Sequence, residues 1–184
     1  MKPKIAFLVL FLISSLFLFS EAILWNGHYY EAILVTGGLN FDQANAAATS
    51  KGGYLVSITS DAENTFVYNL ISNNSLFWKD GDWHGPWLGA FQPTGASEPS
   101  GGWQWTSGES FTYSNWNTGE PNNANGSENH VHFHNRTHSR WNDLNGGSVL
   151  TGYIVEYNSN PVPEPNSLIL LSFVLVGFWY CKRH

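Results

Sequence analysis

Trp-Leu-Gly-Ala-Phe at residues 87–91 is the stretch that decides the fold. Its apolar and aromatic residues predict a buried β-strand. Residues 102–105, Gly-Trp-Gln-Trp, alternate polar and aromatic side chains, and this pattern predicts a further strand. The chain contains nine tryptophans. We therefore expect burial of large aromatic side chains to supply much of the stability of the core.

Two helices are predicted before this stretch. The first begins at Asn40, which can cap a helix together with Gln43 three residues later. The second begins at Ser60, which forms the same capping pattern with Glu63. Apolar residues follow each cap at helical spacing: Phe41, Ala44 and Ala48 in the first helix, and Phe66, Val67, Leu70 and Ile71 in the second.

The remaining predicted strands surround a long polar loop. Residues 28–33 open the domain and residues 152–157 close it, since both are rich in aromatic and β-branched side chains. Short strands are predicted at residues 130–134 and 140–143. Residues 114–127 are dominated by Asn, Gly, Ser and Pro, which predicts a loop of the length that usually carries function. The expected fold class is α+β, with small antiparallel sheets and paired N- and C-terminal strands.

Charge and cysteine content limit what the domain can bind. We expect one domain at residues 23–160, which carries four basic residues against twelve acidic ones, a formal net charge of −8. Nucleic acid is therefore not an expected partner, because phosphate binding needs clustered Lys and Arg. The single cysteine, Cys181, lies in an apolar C-terminal run, so the domain is expected to fold without disulfides.

Both ends of the chain carry targeting patterns. Residues 1–22 combine a positive start, an apolar stretch and a small-residue end, which predicts a secretory signal peptide cleaved after Ala22. An uncleaved membrane anchor is the alternative. Residues 161–184 contain closely spaced prolines, an apolar run at residues 168–181 and a basic tail. The prolines break any preceding structure.

The C-terminal order of Pro-Glu-Pro, short apolar helix and basic end resembles the PEP-CTERM sorting signal of bacterial exported proteins. The resemblance implies recognition and cleavage by an exosortase. It predicts an exported protein at the cell surface or in the extracellular matrix, anchored in a membrane through the C-terminal helix before cleavage or permanently. An ordinary tail anchor is the alternative.

A cluster of oxygen-bearing side chains predicts a metal site. Within 24 positions the chain has three carboxylates and two amides beside turn-forming residues, and these are Glu120, Asn122, Glu128, Asn142 and Asp143. Calcium takes about 6–8 oxygen ligands. A cis bond at Pro121 would turn the two flanking side chains toward the same side. Five side chains and one carbonyl leave room for two outside oxygens, and two neighbouring sugar hydroxyls fit that vacancy.

The order of these features, over residues 25–158, resembles a C-type lectin-like domain. Residues 87–89 match the family's core tryptophan-glycine motif, and residues 52–58 match the glycine turn that follows its first helix. The family pattern also includes four cysteines, all replaced in this chain. The resemblance implies that one lost pair corresponds to Ala48 and Val155, and the other to His130 and Gly146.

The same resemblance implies roles for the oxygen cluster. Glu-Pro-Asn at residues 120–122 is similar to the family type that favours mannose, glucose, fucose and N-acetylglucosamine. The resemblance implies calcium-dependent binding of glycans, for example the producer's own exopolysaccharide, without covalent chemistry. Four residues are expected to touch both ion and sugar, Glu120, Asn122, Glu128 and Asn142, while Asp143 completes the metal shell. The auxiliary calcium site of some family members needs acidic residues where this chain has Asn123 and Asn129, so no auxiliary site is expected here.

Two other classes of function stay open. His130, His132 and His134 alternate, so a strand would turn all three imidazoles to one side, where they could hold zinc. A zinc hydrolase could then use Glu128 as its base. The other alternative is a calcium-independent protein-interaction or matrix-scaffold module. Most tryptophans are expected in the core, and Trp116 is left open as a sugar-stacking residue because it lies in the long loop.

Overall fold

The computed structural model describes residues 21–161. Within that range the chain forms two α-helices and eight β-strands. The helices are α1, Phe41–Ser50, and α2, Asp61–Asn69. The strands are β1 Ile23–Trp25, β2 His28–Leu39, β3 Tyr54–Leu55, β4 Trp87–Phe91, β5 Gln104–Trp105, β6 His130–Asn135, β7 His138–Leu144 and β8 Leu150–Tyr157. The predicted α+β class is confirmed.

Both helix starts lie where the capping residues predict them. The Asn40 side chain accepts from the Gln43 amide at 2.9 Å, and the Gln43 side chain accepts from the Asn40 amide at 3.0 Å. The Ser60 hydroxyl accepts from the Glu63 amide at 3.2 Å. The Glu63 carboxylate, however, accepts from the Thr59 amide and hydroxyl, both at 2.8 Å. The second cap therefore has only one of the two hydrogen bonds of a capping box.

The strands join into one mixed sheet. Its order is β1-β2-β8-β4-β6-β7, with β3 beside β8 and β5 beside β4. The β4–β8 pair is parallel and the others are antiparallel. The pairing of β2 with β8 confirms that strands near the two ends of the domain meet. β2 runs on to Leu39, beyond the predicted residues 28–33, and after a register shift that follows Leu34 it pairs again with β8 at Leu39.

Trp87 at the start of β4 lies inside the core, with none of its surface exposed. Its indole nitrogen donates to the Leu39 carbonyl at 3.1 Å. Gly89 in the same strand has no room for a side chain, because an added Cβ would overlap the Leu55 carbonyl and lie 2.9 Å from the Val56 carbonyl oxygen. Close approach of these backbones explains why the stretch at residues 87–91 needs a glycine at its centre.

At both pairs of positions where the family has disulfides, side-chain packing takes their place. Ala48 and Val155 are both fully buried in the same apolar cluster. The His130 ring lies directly over Gly146, where an added Cβ would be 2.5 Å from the ring. The same ring packs against Phe41 with 4.0 Å between ring centroids. Each predicted pair of positions is thus brought together without sulfur.

The predicted membrane-anchored location needs correction. Across residues 21–161, none of the helices has both the length and the apolar character needed to cross a bilayer. The apolar run at residues 168–181, on which that location depended, lies outside the described residues. The signal peptide at residues 1–22, the domain limits 23–160 and the sorting signal at residues 161–184 stay predictions.

Candidate functional site

The long loop is held along strand β7 by backbone hydrogen bonds. The Asn117 amide donates to the Trp141 carbonyl at 2.8 Å, and the Trp141 amide donates to the Asn115 carbonyl at 2.9 Å. The Glu120 amide then donates to the Asn117 carbonyl at 3.0 Å, which turns the chain. This path brings residues 120–124 over Asp143 near the end of β7.

Asp143 is the buried centre of the site, with none of its surface exposed. One carboxylate oxygen accepts from the Asn122 amide at 3.0 Å and the other from the Asn123 amide at 2.7 Å. These bonds compensate for part of the cost of burying a charge. They also bring Glu120, Asn122 and Asp143 together, as the sequence predicted, across 21 positions of chain.

Glu128 returns to the same turn. Its carboxylate accepts from the Ala124 amide at 3.0 Å, and its own amide donates to the Asn123 side-chain oxygen at 3.0 Å. Asn123 and Asn125 have φ angles of 47° and 58°, in the left-handed region that asparagine tolerates well. The turn therefore folds back and brings Glu128 beside Asp143. Burial raises the pKa of Glu128, the Ala124 amide opposes that shift, and the Asp143 charge adds to it.

Glu120 brings a second carboxyl group into direct contact with Asp143. Its peptide bond to Pro121 is cis. Its Oε2 atom is buried and has no hydrogen-bond partner among the described residues. Burial, the contact with Asp143 and the charge of Glu128, in that order, raise the pKa of Glu120 to about 7. Two acceptor groups that face each other need either a proton or a cation between them.

The donor set fits calcium better than a transition metal. Within residues 21–161 no three His, Cys, Asp or Glu side chains, including Glu120, Glu128 and Asp143, form by themselves a group that could hold a metal ion. A cation beside Glu120 and Asp143 would therefore need amide and carbonyl oxygens as well, which calcium accepts. The orphaned oxygen of Glu120 is the atom that such an ion would satisfy.

Asn142 joins the site in a different way from the other four residues. Successive residues of a strand point to opposite faces, so Asn142 and Asp143 leave β7 on opposite sides. The Asn142 amide nitrogen lies 3.2 Å from His132 Nε2 and 2.5 Å from the Asp143 carbonyl oxygen. The Asn142 side chain therefore contacts a histidine and a carbonyl, and that carbonyl is where it meets the site.

The histidine row supports the core. His130 covers Gly146, and His132 is fully buried with its Nδ1 donating to the Phe133 carbonyl at 2.7 Å. Burial lowers the pKa of His130 to about 4, and burial together with the neighbouring His84 lowers that of His132 to about 3. Burial also lowers the pKa of His134. Among the described residues these histidines form no group that could hold a metal ion, so this part of the chain gives no support to the zinc alternative.

Trp116 is part of the aromatic packing. It lies 4.9 Å from Trp103 and 5.9 Å from Trp141 between ring centroids, and it packs on the larger core cluster. Two residues of the site were missed from sequence. The sequence relates Asn123 only to an auxiliary site, although the left-handed tendency of Asn-Asn-Ala-Asn-Gly at residues 122–126 indicates a folded turn. It relates His132 only to zinc.

Two known proteins are similar in sequence to this chain. Ladderlectin from Oncorhynchus mykiss is 32% identical over 115 residues, which make up 62% of this chain and 56% of ladderlectin. A perlucin-like protein from Mytilus galloprovincialis is 36% identical over 118 residues, 64% of this chain and 69% of that protein.

A solved structure and a family model were also found to be similar to this chain. The cow CD23 C-type carbohydrate-recognition domain, determined in the presence of GlcNAc2Man3 oligosaccharide, is 27% identical with a TM-score of 0.61 and covers 76% of this chain and 94% of its own. The family model described as the lectin C-type domain matches residues 38–153. This chain therefore belongs to the C-type lectin domain family.

Proposed function

We propose that the protein binds glycans through one calcium ion. The ligands would be Glu120, Asn122, Glu128, Asn142 and Asp143, with the Asp143 carbonyl as a further oxygen. The observation that carries the proposal is the buried, partnerless Oε2 of Glu120 against the Asp143 carboxylate. A divalent cation between these groups would remove their repulsion and satisfy the orphaned oxygen.

Backbone hydrogen bonds leave the carboxylates free to bind an ion. Each Asp143 oxygen takes one amide hydrogen, and an ionised carboxylate has about four lone-pair sites. Glu128 is similarly tied by one oxygen to Ala124. The loop therefore holds the acids in position while spare lone pairs face the ion. Calcium affinity near 10⁻⁴–10⁻³ M is expected, as in other extracellular modules.

Sugar binding follows from the incomplete shell. Six protein oxygens leave one or two positions for neighbouring hydroxyls, because calcium accepts up to about eight ligands. Glu120, Asn122, Glu128 and Asn142 would contact the same hydroxyls. The Glu-Pro-Asn order and the oligosaccharide with the related CD23 domain support mannose-type sugars. The mechanism would be ligand exchange at the ion, and weak single-site binding would gain strength from many copies on a polysaccharide.

The decisive experiment is a calorimetric titration of the purified protein with calcium after chelation, followed by titration with methyl mannoside. We expect millimolar or tighter calcium binding, and sugar binding only when calcium is present. Glu98→Gln should bind calcium like the parent protein and serves as a control. Glu98 is exposed, also precedes a proline in cis, and lies outside the site. Absence of calcium binding in both proteins would refute the proposal.

A calcium-independent interaction module is the second candidate. The observation that favours it is the set of backbone amides that already hold Asp143 and Glu128, since they organise the loop without an ion. Binding of a matrix protein or polysaccharide that persists in excess chelator would support this candidate. Loss of that binding in chelator would support the calcium lectin.

Processing of the two ends is proposed separately from the site. Cleavage after Ala22 and recognition of residues 161–184 by an exosortase would leave a chain close to residues 23–160. The support is the sequence pattern alone. Intact-mass measurement of the protein recovered from its producing cells tests both cleavages, and a mass equal to that of the full chain would refute them.

A further inference from the structure

We propose that His132 is a positioning residue of the calcium site, which orients the Asn142 amide so that its oxygen is left for the ion. This inference rests on the proposed function. His132 and Asn142 are cross-strand partners in the β6–β7 hairpin. Neither the family resemblance nor the zinc hypothesis gave His132 this role.

The protonation of the His132 ring follows from its hydrogen bonds. Its Nδ1 lies 2.7 Å from the Phe133 carbonyl oxygen, which can only accept, so Nδ1 carries a hydrogen. The Asn142 amide nitrogen lies 3.2 Å from Nε2, and its contact with the Asp143 carbonyl oxygen at 2.5 Å identifies it as a donor. Nε2 is therefore a bare acceptor that faces Asn142.

The orientation of the Asn142 amide follows in turn. The end of the amide that meets His132 Nε2 at 3.2 Å also meets the Asp143 carbonyl at 2.5 Å. Both neighbours are acceptors, so this end must be the nitrogen, and both of its hydrogens are used inside the protein. The side-chain oxygen is the only end of Asn142 left for a cation or a sugar hydroxyl.

The His132 ring is itself held in place. It stacks on His84 with 5.4 Å between centroids, and it meets Trp87 edge-on at 6.3 Å and 78°. A fixed acceptor keeps the amide from rotating and so lowers the entropy lost when the ion binds. Groups that orient metal ligands in this way typically contribute 10–100-fold to metal affinity.

The test compares three variants of the full chain. His132→Phe keeps a ring and removes the acceptor, whereas His132→Gln places an oxygen near the position of Nε2. His134→Phe is the matched control, because it changes the next histidine of the row and leaves the Asn142 contact intact. Calcium affinity is measured by calorimetry, and the melting temperature is measured in chelator.

We expect His132→Phe to raise the calcium Kd about 10-fold or more, with a smaller effect for His132→Gln and none for His134→Phe. A parent protein that fails to bind calcium would refute the proposed function itself. A folded His132→Phe variant with the parent's calcium affinity would refute only the role of His132. If His132→Phe does not fold, ¹⁵N spectra of the parent imidazole decide, because a hydrogen on Nε2 would overturn the inference.

Discussion

The carboxyl groups of Glu120 and Asp143 lie in contact, although one comes from the long loop and the other from strand β7. The loop could have kept two like charges apart. It instead holds Asp143 with the amides of Asn122 and Asn123, and one Glu120 oxygen is buried without a donor from residues 21–161. With both carboxyl groups ionised this arrangement is unfavourable, and a proton or a cation between them would make it favourable, which is the property expected of a preformed metal site.

The stability of the calcium-free protein should fall as pH rises toward neutrality. The pKa of Glu120 is raised from 4.5 to about 7, so between these values the folded state holds a proton that the unfolded state has lost. Protonation therefore stabilises the folded state at low pH, and this contribution disappears as pH rises through the window. We expect the melting temperature in chelator to fall from about pH 5 to pH 7 relative to Glu120→Gln.

Calcium should reverse this trend, because the ion binds the ionised carboxylates and releases the proton. Calcium affinity should therefore increase as pH rises toward about 7. Thermal melts at several pH values with and without calcium check both effects. Glu98→Gln, which removes an exposed acid elsewhere, should follow the parent at every pH. A parent curve parallel to that of Glu120→Gln in chelator would contradict the prediction.

Exchange of the two residues around Pro121 should change sugar preference. In Glu120→Gln with Asn122→Asp, the amide donor and the carboxylate acceptor change places around the proposed ion. The paired hydroxyls of a sugar would then need the opposite arrangement of donors and acceptors. We expect preference to move from mannose toward galactose on a glycan array. The Asn122 backbone amide still donates to Asp143 after this exchange, so the loop should keep its shape.

Retained mannose preference in this double variant would contradict direct sugar coordination by residues 120 and 122. Calcium binding must be verified in the same variant by calorimetry, since loss of the ion would abolish binding of both sugars.

Local features of the fold were predictable from sequence, and tertiary ones were less so. The Asn40–Gln43 cap involves only neighbouring residues, and it forms as predicted. The Ser60 cap has only one of its two bonds, because the Glu63 carboxylate is taken by Thr59 and by the Tyr30 hydroxyl, 33 positions away. No pattern around Ser60 indicates that distant partner.

The candidate site shows the same division. The proximity of Glu120, Asn122 and Asp143 was predictable, because calcium chemistry and the family pattern call for oxygen-bearing residues in that order. The contact between His132 and Asn142 was not found, because it depends on the register of β6 against β7. A shift of one residue in that hairpin would turn His132 to the other face.

Gly89→Ala should destabilise the domain strongly. An added Cβ would overlap the Leu55 carbonyl and lie 2.9 Å from the Val56 carbonyl oxygen, both of which are backbone groups. The Gly89 amide also donates to Val56 at 2.9 Å, so β4 cannot move away without losing that bond. We expect a loss of about 1–3 kcal/mol in the free energy of unfolding, measured in urea with calcium present.

Gly147→Ala is the control for this substitution. Its nearest atom is the end of the Asn145 side chain at 3.1 Å, which can shift. We expect its unfolding free energy to stay within about 0.5 kcal/mol of the parent. Equal stability of the two variants would show that β4 does not approach Leu55 closely.

A disulfide should form between residues 130 and 146. In a cysteine at position 130 the sulfur would take about the place of His130 Cγ, which lies 3.3 Å from the Cβ position at Gly146, so the two cysteine side chains are close enough to meet. In His130→Cys with Gly146→Cys, the closed loop of about 17 residues should add roughly 3 kcal/mol to stability when oxidised. Cys181→Ser is included in all proteins compared, so that only these two thiols can pair.

If residue 130 lies over residue 146, the reduced double variant should be less stable than the parent, opposite to the oxidised form. Without the disulfide, the double variant loses the ring that packs on Phe41 and Trp87, so it should be less stable than the parent. Thiol counting and urea unfolding with and without reductant measure both states. The loop that the disulfide closes contains Asn142 and Asp143, so the oxidised form should also bind calcium at least as tightly as the parent, because its ligand strand is further restrained. Two free thiols after oxidation would mean that residue 130 does not lie over residue 146.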